Sequence, residues 1–131
     1  MLELNNYNLT KEDLDLMLDL NPEISEATNE EIKYNLDILK AIGCSDTNIT
    51  DIIVANPFYL SKQADDVIEL IAKLKSLNFT NLNLLFDSNP FLLNKDAFEI
   101  DDYIKKELAK NKSLDEIVDE FESNPYLIDE E

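Results

Sequence analysis

One short element recurs four times along this chain and limits what it can fold into: an apolar-periodic run, then Asn-Pro, then a small apolar cluster. It reads LDLMLDLNPEIS at 14–25, ITDIIVANPFYLS at 49–61, LNLLFDSNPFLLN at 82–94 and IVDEFESNPYLID at 117–129. The four prolines, Pro22, Pro57, Pro90 and Pro125, are the only ones present, and the steps between them are 35, 33 and 35 residues. A period in that range is the mark of a helical repeat array, in which each unit buries its apolar face on its neighbours. The flanking positions agree with the spacing. Leu14, Ile49, Leu82 and Ile117 stand eight residues before the proline, Leu18, Ile53, Phe86 and Phe121 four before, and Ile24, Tyr59, Leu92 and Leu127 two after. A spacing of four places the first two sets on one helical face. Proline removes a donor and disfavours α geometry in the residue before it, so each short helix is expected to stop at its asparagine, and the apolar pair beyond to form one turn of 3₁₀ helix.

Between these elements lie longer amphipathic runs. Thr10 caps a first helix that reaches Leu20; Thr28 with Glu31, and Ser113 with Glu116, have capping-box spacing. Long helices are expected through Ile32–Ile42, from Gln63 to Leu77 and from Asp96 to Ala109, and short ones from Asn48 or Ile49 to Asn56, from Leu82 to Asp87 and after Ser113. Gly43, the only glycine, closes one long helix where a left-handed residue is needed. Residues 1–8 have no period, and Leu2, Leu4 and Tyr7 are expected to cover the first helix, while the LIDEE tail is expected to fray. The reading is an all-α fold: a short α-solenoid of alternating long and short helices, one domain over 1–131, with units at about 9–25, 28–61, 63–94 and 96–129.

The segment LKAIGCSDTNITDIIVANPFYLS, followed by a long helix and LKSLNFTNLNLLFDSNPFLL, resembles the repeats of the mitochondrial transcription termination factor family over roughly residues 32–128. Leu39, Ile42 and Gly43, then Leu74, Leu77 and Phe79, match its Leu-Gly turn, and Pro57, Pro90 and Pro125 match its proline. The resemblance implies an α-solenoid whose relatives bind nucleic acid along a basic groove. Charge departs from that expectation. There are 29 acidic and 11 basic side chains, all lysine, for a formal charge of −18. Residues 1–31 carry −8, residues 32–95 only −1 and residues 96–131 carry −9. Phosphate contacts draw on Arg and Lys, so direct nucleic-acid binding is not expected from this composition.

Chemistry is equally sparse. Histidine is absent and the one cysteine, Cys44, has no histidine to activate it. One glycine precludes a phosphate-cradling loop, and SDTNITD at 45–51 has calcium-type oxygen ligands without the central glycine. No catalysis, cofactor or metal is expected. A lone cysteine and the lack of a secretory or bilayer-spanning segment point to a reducing compartment, the cytoplasm.

What remains is a surface. The aromatic residues one position after proline, Phe58, Phe91 and Tyr126 (Glu23 in the first unit), either plug the space between units or form an exposed ridge that anchors a partner. The acids Asp101, Asp102, Asp115, Glu116, Asp119 and Glu120 either solvate helix faces, as the end units of a repeat array require, or steer a partner. The leading expectation is a non-catalytic interaction module for a protein with a basic surface. The alternative is a nucleic-acid mimic that inhibits a DNA- or RNA-handling enzyme, and nucleic-acid binding of the termination-factor kind stands third.

Overall fold

The computed structural model describes residues 2–130, and among them there is no β-strand. Short helices α1 (Lys11–Leu20), α3 (Asp46–Ala55), α5 (Leu82–Ser88) and α7 (Leu114–Ser123) alternate with long helices α2 (Asn29–Ala41), α4 (Ala64–Ser76) and α6 (Ala97–Leu108). After the first three Asn-Pro steps the chain makes a 3₁₀ turn that starts on the proline: η2 (Pro22–Glu26), η3 (Pro57–Ser61) and η4 (Pro90–Asn94). Two further 3₁₀ segments, η1 (Leu2–Asn6) and η5 (Leu127–Glu130), lie at the two ends. The long helices pack in sequence, α2 on α4 and α4 on α6, while α3 packs on α5 and η3 sits between η2 and η4. This is the all-α stack of repeating units that the proline spacing implies.

The signature positions form its core. Ile49, Leu82 and Ile117 at eight before proline, Ile53, Phe86 and Phe121 at four before, and Ile24, Tyr59 and Leu92 at two after are all buried. Leu14, Leu18 and Leu127, in the end units, are partly buried against them. At the C-terminal end Phe121 packs edge-on to Phe79 and Tyr103, with ring centroids 5.6 and 5.4 Å apart, a geometry that aligns ring edge with ring face.

The asparagine does more than precede a proline. All four adopt one conformation, φ −138, −134, −137 and −144° with ψ 83, 76, 84 and 86° at Asn21, Asn56, Asn89 and Asn124. Each backbone N–H closes the preceding helix, so the side chain is left for another task. Asn21 Nδ2 donates to the Pro57 carbonyl (3.2 Å), Asn56 Nδ2 to the Pro90 carbonyl (2.9 Å) and Asn89 Nδ2 to the Pro125 carbonyl (3.0 Å). The second acceptor comes from four residues after that proline: Ser61 Oγ for Asn21 (2.8 Å) and Asn94 Oδ1 for Asn56 (3.0 Å). Asn94 also donates back to Asn56 Oδ1 (3.2 Å). In the last rung the corresponding residue is Asp129, which pairs with Lys95 (3.1 Å) and has no proton to donate; Asn89 Oδ1 stays buried without a partner among the described residues. The units are thus joined by a ladder of buried side-chain-to-backbone bonds.

Several boundaries depart from the sequence reading. Full capping boxes form at Thr10–Asp13, Ser45–Asn48 and Asp96–Glu99. Ser45 therefore starts α3 at Asp46, earlier than Asn48 or Ile49. Thr28 and Ser113 cap their helices through the N–H of Glu31 and Glu116 (3.1 and 3.2 Å) without the return bond to the backbone; Glu116 Oε1 meets the Ser113 hydroxyl instead. The Gly43 turn is as expected, at φ 102°, and Asn78 (φ 73°) and Asn111 (φ 67°) take the left-handed role after α4 and α6. Leu4 and Tyr7 are buried, but η1 packs on α2 rather than on α1, with the Lys40 ammonium 5.8 Å from the Tyr7 ring centroid; the side chain of Leu2 lies outside those described. The tail forms η5 at 127–130, where Asp129 lies 3.1 Å from Lys95.

Asn56→Ala leaves the buried Pro90 carbonyl, and the partly buried Asn94 amide, short of a partner, so it is expected to cost about 2 kcal/mol of unfolding free energy. Asn124, which is exposed and whose side chain accepts only from the nearby Tyr126 N–H among the described residues, is expected to tolerate alanine to within about 0.5 kcal/mol. Urea denaturation of the two variants checks the contrast.

Candidate interaction surface

A 3₁₀ turn repeats every three residues, which decides what faces outward. With proline at its first position, the residues two and three further on point into the stack: Tyr59 and Leu60, and Leu92 and Leu93, are completely buried. The residue directly after proline is left outside. Phe58, Phe91 and Tyr126 are 43, 48 and 47% exposed, an unusual state for large aromatic side chains. Position two after proline plugs the units together; position one does not. Glu23 is exposed at the same place in the first unit.

Two further apolar side chains that sequence reasoning missed are exposed on α1. Leu20 precedes Asn21, whose amide holds Pro57, and Phe58 follows Pro57; both Leu20 and Leu16, one turn earlier on α1, are exposed. The first unit thus offers leucines from α1 where η2 offers only Glu23. Leu84, exposed on α5, stands six before its proline, as Leu16 does, and this recurrence is the signal that could have found them. Asp51 and Asp119 hold the same position in the other two units.

The candidate acids are less free than their number implies. Asp101 lies 3.5 Å from Lys73 and 3.7 Å from Lys105, Asp102 3.0 Å from Lys106, and Glu120 2.8 Å from Lys112. Glu116 belongs to the cap of α7, and Asp115 and Asp119 are exposed on that helix. The same pairs occupy lysines. Lys33 meets Asp37 (2.7 Å), Lys95 meets Glu99 and Asp129 (3.6 and 3.1 Å), and Lys110 meets Glu107 (2.8 Å). Surface pairs of this kind add little stability, but they engage Asp101, Asp102 and Glu120 among the candidate acids and most of the lysines of the last unit.

Three internal polar groups are structural. Tyr59 donates its hydroxyl to the Asn35 carbonyl (2.6 Å), and Asn35 Nδ2 returns bonds to the carbonyls of Tyr59 (3.2 Å) and Lys62 (2.8 Å); burial drives the Tyr59 phenol far up. Cys44 is buried, and burial, helped by the negative charge of Asp87, pushes its thiol to about 11. At neutral pH it is a thiol and not a nucleophile. Among the described residues no three metal-ligating side chains converge, and no helix is long and apolar enough to cross a membrane. No protein-family model matches the chain, and no curated protein matches it.

Glu107 is the buried carboxylate of α6. Lys110, the largest influence, then the Tyr103 hydroxyl (3.2 Å) and Lys112 (3.6 Å), hold it below the usual carboxylate range against the opposing effect of burial. A depressed folded-state pKa adds stability above the unfolded value of about 4.3, and that contribution is lost as pH falls through the folded value. Glu107→Gln is expected to cost about 1 kcal/mol at pH 7, with the gap to wild type closing below pH 4. Urea titrations of both proteins across pH 3–7 read it; a gap unchanged by pH would assign the loss to packing alone.

Proposed function

We propose that this protein is a non-catalytic interaction module that binds a partly basic protein partner through the ridge of Phe58, Phe91 and Tyr126. The observation that carries the reading is the exposure of these three aromatic side chains at one position of successive units. A folded surface gains nothing by keeping them in water, and aromatic anchors dominate protein interfaces. The net charge of −18 favours encounter with a basic partner and raises its on-rate; a nucleic-acid-handling enzyme is one kind of protein with such a surface. The pairing of Asp101, Asp102 and Glu120 with lysine supports a protein interface over phosphate mimicry. The left-handed turns at Gly43 and Asn78, and the 3₁₀ turns on the prolines, are the parts of the layout that resemble termination-factor repeats; we take the layout from that likeness and not the nucleic-acid activity. An unpaired, unactivated Cys44 suits a reducing cytoplasm.

Retention of a protein from host lysate, after nuclease treatment and at two salt concentrations, tests this reading. Wild type is expected to hold a stoichiometric protein that salt releases. The triple variant Phe58→Ala/Phe91→Ala/Tyr126→Ala is expected to lose it while its unfolding free energy stays within about 1 kcal/mol of wild type. Nucleic acid retained in place of protein would restore the termination-factor activity and overturn the proposal.

A further inference from the structure

The long-helix layer carries a second surface that the ridge does not touch. α2 and α4 lie side by side and run parallel: the residues lining the space between their first halves are Glu30, Glu31 and Tyr34 against Gln63 and Ala64, and those between their second halves are Ile38 and Ile42 against Ile71 and Lys75. The second space is an open trough of about 460 Å³ with mostly apolar walls that also include Asp37 and Lys75, and Tyr34 and Ile68 on its two sides are 52 and 42% exposed.

The next interface in the same molecule shows what normally fills this place. Advancing by one unit carries Ile38 to Lys73 and Ile68 to Asp101, and those two close the α4–α6 boundary with an ion pair at 3.5 Å. At the α2–α4 boundary the equivalent pair is two isoleucines, Ile38 partly buried and Ile68 exposed. A position closed by charge in one unit and left apolar and open in another is not required by the fold, since the fold is served by the ion pair. Two parallel helices also present a groove that accepts the ridge of a third helix. Taken with the space between the first halves, the groove runs from Glu30 to Ala41, about 17 Å at 1.5 Å per residue, or three turns of an occupant.

Charge sets the polarity of that occupant. Glu30 and Glu31 line one end, with Asp65 nearby in the first turn of α4, and outnumber Lys62 there; at the other end Lys75 stands with Asp37, whose carboxylate is already held by Lys33. The lysine of the other long-helix end, Lys40, is turned away onto Tyr7. A helix antiparallel to α2 and α4 places its own C-terminal turn, where basic residues belong, over the acids, and opposes its dipole to theirs. A second copy of this chain does not fit, because each copy brings a charge of −18.

We propose that the α2–α4 trough docks an amphipathic helix of another protein, antiparallel to both, with its apolar stripe on Ile38 and Ile68 and its basic C-terminal turn over Glu30, Glu31 and Asp65. The site is independent of the ridge and shares with it only the expectation of a protein partner. The probe is a 14-residue helical peptide with leucines at i, i+3, i+7 and i+10, glutamates in its first turn and lysines in its last, beside a twin of identical composition with the charges exchanged. Titrated into isotope-labelled protein, the first is expected to bind at least about tenfold tighter than the twin, a difference of 1.4 kcal/mol, and to shift amides of residues 34–42 and 68–75.

Ile38→Glu/Ile68→Glu is expected to weaken it at least about 20-fold, against no change in Phe58→Ala/Phe91→Ala/Tyr126→Ala. Because Ile38 is partly buried, Glu30→Lys/Glu31→Lys gives a second readout that leaves the apolar walls alone: it should reverse the preference between the twins. Equal affinity for the twins, shifts centred on the ridge, or no binding of either peptide at millimolar concentration overturns the trough as a helix site, and none of these outcomes alters what the triple ridge variant does in lysate.

Discussion

The bond from an asparagine side-chain amide to the proline carbonyl of the next unit holds the rest of this structure in place. It spans 36, 34 and 36 residues at its three occurrences. Each partner is suited to it. The pre-proline restriction keeps asparagine out of α geometry, so its side chain leaves the helix axis just where two units meet. Its backbone N–H is already used by the preceding helix, and it makes no cap bond to the following turn. Proline supplies a fixed φ and a carbonyl with no competing N–H. A buried amide without a partner costs more than a made bond gains, so the ladder fixes register more than it adds net stability. Alternative stackings of the same apolar faces would strand the amides.

A fixed register makes the surface periodic. The residue after each of the last three prolines is exposed at the same place in its unit, as Phe58, Phe91 and Tyr126. The same register brings α2, α4 and α6 alongside each other, so that a single difference between units, isoleucines in one boundary and Lys73–Asp101 in the next, leaves one trough open. The acidic surplus sits in the two end segments, as −8 and −9 against −1 between them. Within the last unit much of it is engaged with lysines of α6 and the turn after it, and Glu107 is drawn into the interior.

How much of this was legible depends on distance along the chain. Helix stops at Asn-Pro, the 3₁₀ turns, the buried positions eight and four before proline and the left-handed Gly43 are all local, and a single sequence displays them. The exposure of Phe58, Phe91 and Tyr126 was legible as one of two readings, with Glu23 in the first unit as the clue. The ladder itself was not, because a bond between residues 35 apart leaves only recurrence behind, and the recurrence of asparagine reads equally well as turn chemistry. Thr10–Asp13 and Ser45–Asn48 were missed as boxes because Asp and Asn at the third helical position lack the Glu/Gln signature. The docking of η1 on α2 depends on tertiary contacts that Leu4 and Tyr7 cannot announce. Nothing in the sequence singles out Glu107 from the other acids of α6; its contact with Tyr103 is visible only in the structure. Leu16 and Leu20 look like core periodicity on α1, yet Leu16 is exposed at the position where Leu84 of α5 is exposed too.

Side-chain amide hydrogen exchange, followed by NMR at Asn21, Asn56, Asn89 and Asn124 under native conditions, tests the ladder most directly. The first three are expected to exchange at least about 100-fold more slowly than Asn124, because each must wait for its unit to separate from the next. Equal rates at all four would mean that the asparagines serve only their own turns and that apolar packing alone sets the register.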